Sequence, residues 1–252
     1  MPIEELPLNA CQFFQLQSNY VWQRIGFARK TNLRISETTI TEELLYHFYQ
    51  YVETFSVPIR VFESIEEYRN GSDLEILIAA GKGYILLACQ AKISYKNGRY
   101  KSFFHKVGGK RQLDLLRAYA LKHGGVGLYL LYNFLPSVLM CKEIEAIKNI
   151  EDQGITQVAA DDIHDWIAGF DALKKKVKVP GFNEFHPKFA TPLHELICEL
   201  LKDSEAHLEK FPEGYYSKRK FYSEYEVRSD EAWRETTELA TMVLQRRMMP
   251  KP

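Results

Sequence analysis

Apolar and polar positions change their spacing several times along the 252 residues, and each change marks an element. Residues 9–30 place Cys11, Phe14, Val21, Trp22, Ile25 and Ala28 at a roughly helical period. A second helix is predicted over ETTITEELLYHFYQYVETF (37–55). Thr39 is its expected N-cap, Glu42 completes a capping box, and Ile40, Leu44, Leu45, Phe48 and Val52 form the inward stripe. VPIRVFE (57–63) reads as a short strand, and SIEEYRNG as a polar turn. SDLEILIAAGKGYILLACQAKI (72–93) then has two apolar runs around Gly-Lys-Gly, the pattern of a buried hairpin.

Downstream, SYKNGRYKSFFHKVGGK (94–110) reads as a flexible connection with Asn-Gly and Gly-Gly turn signals. KRQLDLLRAYALKHGG (110–125) is a helix with Leu113, Leu116 and Ala120 inward and a glycine stop. VGLYLLYNF (126–134) is continuously apolar, as a strand covered on both faces would be. The expected order is therefore αβββαβ, an α/β fold with a mixed central sheet and an extra N-terminal helix. Helical additions are expected at 137–150, 158–170, 190–210 and 229–248, with an aromatic and basic stretch at 210–227. One domain over 1–200, with its core at about 35–135, and a C-terminal segment 201–252 packed on it fit the length.

Composition changes this picture little. Its 46% hydrophobic and 13% aromatic residues describe a folded protein and exclude a disordered one. Four scattered cysteines without a C-x-x-C read as reduced thiols of a cytoplasmic protein. His186 and His194 lack zinc-pair spacing. No charged-apolar-small leader opens the chain, which argues against export. The apolar stretch 126–141 is too short to span a bilayer, so no membrane partner is expected.

Charge changes it more. Net charge is zero, yet Ile76 to Leu113 contains no Asp or Glu and holds Lys82, Lys92, Lys96, Arg99, Lys101, Lys106, Lys110 and Arg111. Such a run is either a solvated basic face or the footprint of a polyanion. Its aromatic interleaving and its place directly after the hairpin favour the second.

The polar residues of the hairpin gather at one end. A tight turn pairs residues whose numbers sum to 163, which sets Asp73 opposite Gln90 and Glu75 opposite Ala88, whereas a three-residue turn would slip the pairing by one. Alternation puts Asp73, Glu75, Gln90 and Lys92 on one face. A rim ion pair is one outcome. A divalent cation site is the other, with Asp73 and the Gln90 amide oxygen (or a backbone carbonyl) as ligands and Lys92 aimed at a phosphate or an attacking water. Glu75 reads either as an additional acid or, by preference, as a solvent-facing strand residue.

Asp73, sixteen intervening residues, then Gln90-Ala91-Lys92 resembles the PD-(D/E)XK nuclease motif in its Gln-x-Lys form, found in restriction endonucleases similar to the Mrr family. The αβββαβ order is that superfamily's core. GGKRQLDLLRAYA, GVGLYLLYN and ETTITEELL also resemble an uncharacterised bacterial restriction-endonuclease-like family, and the likeness covers roughly residues 10–135. The resemblance implies a Mg²⁺- or Mn²⁺-dependent endonuclease with Asp73, Gln90, Lys92 and Glu37 as catalytic residues, Asp73, Gln90 and Glu37 holding the metal. Glu37 alternatively only favours the helix dipole. Gln112 resembles the glutamine that RecB-like nucleases place near the scissile phosphate, or is a solvated helix position. Lys96, Arg99, Lys101, Lys106, Lys110 and Arg111 would contact nucleic acid, DNA by preference and RNA as the alternative. A defence role against foreign DNA, with a second copy or an activating partner, is the implied setting. The neutral Gln90 departs from the usual acid, which weakens cation binding and leaves open a module that binds nucleic acid without cutting it.

Overall fold

The alternation of residues 74–93 builds the centre of the sheet. A computed structural model of the chain describes residues 9–203, apart from 56, 65–66, 81–82, 101, 138–143, 145–146 and 174–176. The strands β1 (Ile59–Glu63), β2 (Leu74–Ala80) and β3 (Gly83–Ile93) form an antiparallel meander. Ala80 pairs with Gly83, so the hairpin register sums to 163 along its whole length, as the tight turn predicts. A small hairpin, β4 (Lys106–Val107) and β5 (Lys110–Arg111), precedes the helix α4 (Gln112–Lys122). That helix carries the chain to β6 (Val126–Tyr132), which therefore lies parallel to β3. Two strands that periodicity did not reveal, β7 (Ile155–Ala159) and β8 (Thr191–Pro192), extend the sheet to the order β1-β2-β3-β6-β7-β8.

Helices cover both faces. α1 (Ala10–Lys30), α2 (Glu37–Thr54) and a helix at Leu193–Asp203 lie on one side. There Val21, Ile25, Ile40, Phe48 and Leu196 pack against Ile76, Ile78, Leu87 and Leu130. On the other face Leu113 and Leu116 of α4 and Ile163 of a helix at Ala160–Ala172 pack against Ala88, Tyr129 and Leu131. Continuous burial explains why β3 and β6 read as unbroken apolar runs. The chain is thus mixed α/β with a mixed central sheet between helices. Among the described residues no helix is long and apolar enough to cross a membrane.

Several expectations are corrected. Ser36, not Thr39, caps α2: its side chain accepts from the Thr39 N–H, so the helix begins at Glu37. The turn after β1 contains a short helix, α3 (Glu67–Asn70). Residues 158–159 are strand and 191–192 pair in β8, so the expected helices there start later. Cys11 and Cys198 are joined by a disulfide from α1 to the Leu193–Asp203 helix, whereas Cys89 is free and buried. A separation of 187 residues hides that pair from spacing arguments. The expected helix at 137–150 falls largely, and the segments at 210–227 and 229–248 fall wholly, outside the described residues.

The basic connection is anchored rather than loose. Tyr100 and Phe103 are buried in the second core, and the Tyr100 hydroxyl donates to Asn133 Oδ1 at 2.6 Å. Asn133 Nδ2 donates in turn to Gln153 O (2.8 Å) and Thr156 Oγ1 (2.9 Å), and Thr156 pairs with His186 Nε2 (2.9 Å). A fully buried network of this kind is costly to open, because each removed partner strands another polar group. Asn133→Ala is expected to lower unfolding free energy by about 2–3 kcal/mol in urea titration. A loss under about 0.5 kcal/mol would contradict the anchoring role.

Candidate active site

Strand β3 runs four residues past its partner. The β2 ladder stops at Leu74–Cys89, while Gln90 to Ile93 continue to pair with Tyr129 to Tyr132 of β6. The β2-side edge of residues 90–93 thus needs acceptors from elsewhere. Two carboxylates supply them. Asp73, at the mouth of β2, accepts the Ala91 N–H through Oδ2 at 2.7 Å. Glu37, in the first turn of α2, accepts the Ile93 N–H through Oε2 at 3.2 Å. The same carboxylates meet the side chains of β3: Gln90 Nε2 lies 2.5 Å from Asp73 Oδ2, and Lys92 Nζ lies 3.3 Å from Glu37 Oε1. The structure therefore brings Asp73, Gln90, Lys92 and Glu37 into one cluster.

Burial governs its electrostatics. Loss of solvent pushes the Asp73 carboxyl up to about 7, against the opposing pull of Lys92; the charges of Glu37 and Glu67 push the same way as burial. Glu37 is raised by burial too, with Lys92 and the Ile93 N–H opposing. Lys92 is only 3% exposed. The Gln90 amide oxygen is buried and finds no hydrogen-bond partner among the described residues, and the Tyr129 hydroxyl, on the residue paired with Gln90, is in the same position. A buried acceptor left open beside a carboxylate suits a hard cation, which takes one or two carboxylates and otherwise water or phosphate. Among the described residues no three Asp, Glu, His or Cys side chains close up into a direct ligand set.

Other predicted residues lie elsewhere. Glu75 is not solvent-facing: it is buried on the α4 side and accepts from the Tyr119 hydroxyl at 2.8 Å. Gln112 is not solvated either; it is buried, and its Nε2 donates to Glu67 Oε1 at 2.6 Å. Glu67, absent from the sequence reading, thereby joins the neighbourhood. Lys96 is exposed and reaches Asn32 Oδ1, and Arg99 is exposed and donates to Val179 O. Arg111 pairs with Asp114 at 2.9 Å. Lys106 and Lys110 stand exposed on the β4–β5 hairpin, which turns through Gly108 and Gly109 at positive φ with open space around both. Lys101 lies outside the described residues.

The fold and the cluster define a mixed α/β protein with a carboxylate–amide–amine site at an overhanging strand end. Residues 10–248 match the profile of DUF6615, a family of unknown function, and the chain belongs to that family. No curated protein matches it.

With its carboxyl raised from 3.8 to about 7, folded Asp73 holds a proton that the unfolded chain releases. Its contribution to stability is therefore present at low pH and is lost as pH rises through that window. Asp73→Asn removes this titration. In metal-free buffer the variant's stability relative to wild type should climb between about pH 4 and pH 7, by roughly 3 kcal/mol. Taking the difference cancels other titrating groups, such as His186, whose imidazole is pushed down to about 4 by burial. A pH-independent difference in melting free energy would refute the assignment.

Proposed function

We propose that this protein is a Mg²⁺- or Mn²⁺-dependent endonuclease that hydrolyses phosphodiester bonds of DNA, built on a restriction-endonuclease-like core and acting in the cytoplasm against foreign DNA. The observation that carries the reading is the convergence of Asp73, Gln90, Lys92 and Glu37 at the β3 overhang. The succession α2-β1-β2-β3-α4-β6, interrupted by the short α3 and the β4–β5 hairpin and with β6 parallel to β3, supports it.

Asp73 and the open amide oxygen of Gln90 would hold the cation, with Glu37 beside them. Once bound, the cation would neutralise phosphate oxygens and acidify a coordinated water. Lys92 reaches the same place from two residues along the strand and can donate to a phosphate oxygen. Lys106 and Lys110, on a hairpin leading directly into Gln112 and α4, are placed to hold the flanking backbone. Asp73 gives up its proton near neutral pH, so cation affinity and cutting rise together as the solution becomes more alkaline.

A second reading is favoured by one observation. Each carboxylate already has a strand N–H and a side-chain partner, so both acids are satisfied without a cation. Such a protein would bind nucleic acid without cutting it.

Incubation with supercoiled plasmid and Mg²⁺ or Mn²⁺ separates the two. Nicking or linearisation is expected, reduced at least about 100-fold in Asp73→Ala and Lys92→Ala that retain wild-type circular dichroism. Cleavage unchanged by both substitutions would sink the nuclease assignment. Salt-dependent binding with no metal-dependent cutting of DNA or RNA selects the second reading.

A further inference from the structure

Residues 67–73, EYRNGSD, are built as a clamp between α3 and α4. The Gly71 N–H donates to Glu67 O at 2.7 Å, and Gly71 sits at φ +69°, where a side chain is strained. A Cβ there would lie 2.5 Å from Gln112 O and 2.9 Å from Leu116 N. Both are backbone atoms of α4, so glycine is what lets α3 close onto that helix. Asn70 Oδ1 accepts from Ser72 N at 2.9 Å, and the buried Ser72 hydroxyl donates to Leu74 O at 2.8 Å. Ser64 N donates to Asp73 O at 2.9 Å. The turn is thereby tied at both ends, with a carboxylate at each: Glu67 and Asp73.

Gln112 finishes the arrangement by holding Glu67 Oε1 at 2.6 Å. Glu67 is otherwise exposed, and among the described residues nothing donates to its second carboxylate oxygen. Its negative charge is felt at both Asp73 and Glu37. Three mutually repelling carboxylates do not by themselves make a site. The independent pointer is the Gln90 amide oxygen: fully buried, unpartnered among the described residues, and carried on the amide whose nitrogen touches Asp73.

We infer that Glu67, clamped by Gln112, is a third carboxylate of the cation site, acting on the cation through its water shell. This deepens the cation-dependent reading above and rests on it. It also explains how a site with neutral Gln90 keeps its charge: the acid missing from the strand is supplied by the turn before β2. Gln112 is then a positioning residue for Glu67.

The test is Mn²⁺ binding by the full chain, read as free Mn²⁺ by electron paramagnetic resonance and independent of cleavage. Glu67→Gln is expected to weaken Mn²⁺ binding roughly tenfold. Glu67→Asp keeps the charge but draws it away from Gln112, and is expected to lose a similar factor. Gln112→Ala should follow in the same direction. Glu42→Gln, which removes an exposed acid elsewhere on α2, is the control for general charge and should change affinity less than about twofold. The inference is overturned if Glu67→Asp binds like wild type, or if Glu67→Gln loses no more than Glu42→Gln. If wild type itself takes up no Mn²⁺, the cation-dependent reading fails instead.

Discussion

One mismatch in strand length organises this end of the molecule. β3 overruns β2 by four residues, and the N–H groups of Ala91 and Ile93 must be satisfied without a partner strand. Leaving either unmet in a buried place would cost about 1–3 kcal/mol. Asp73 and Glu37 meet that need. Doing so draws two carboxylates partly out of water and toward Gln90 and Lys92, which stand on the strand that needed capping. Structural demand and candidate chemistry therefore share the same atoms.

That sharing has an energetic consequence. Burial works against the charge on Asp73 and Glu37, and Lys92 only partly offsets it. The stable metal-free arrangement is one in which Asp73 keeps a proton near neutrality. A divalent ion reverses the preference by favouring the ionised form. On the proposed reading the cluster is poised: its carboxylates are paired without a cation, its Gln90 amide oxygen is left open, and a hard cation would enter by exchange for a proton.

Much of this was legible in the residues. The alternation of 73–93 and the Gly-Lys-Gly turn allowed a tight-turn register in which Asp73 faces Gln90 or one slipped by a residue, and the observed ladder is the tight-turn one. The continuous apolar run at 126–132 correctly implied a strand covered on both faces. The capped start of α2 was misplaced because Ser36 and Thr39 both offer hydroxyls three residues before a donor or an acid; only the backbone distinguishes them. β7, ITQVA, is too short and too mixed to separate from the helix it leads into. Tyr100 and Phe103 were among the aromatics interleaved with the basic residues of a connection read as flexible, although their burial makes them core anchors. Glu67 was hidden for another reason: its position depends on Gly71 and Gln112, forty-one residues apart, and neither has a periodicity that points to the other.

The most direct test of the account is anomalous diffraction from crystals of the protein soaked in Mn²⁺. A peak beside the Asp73 carboxylate and within reach of the Gln90 amide oxygen, on the face that carries Lys92, is the predicted result. A saturating soak that leaves Asp73 on the Ala91 N–H, with no density near Gln90, would mean that these carboxylates do nothing more than finish the edge of a strand.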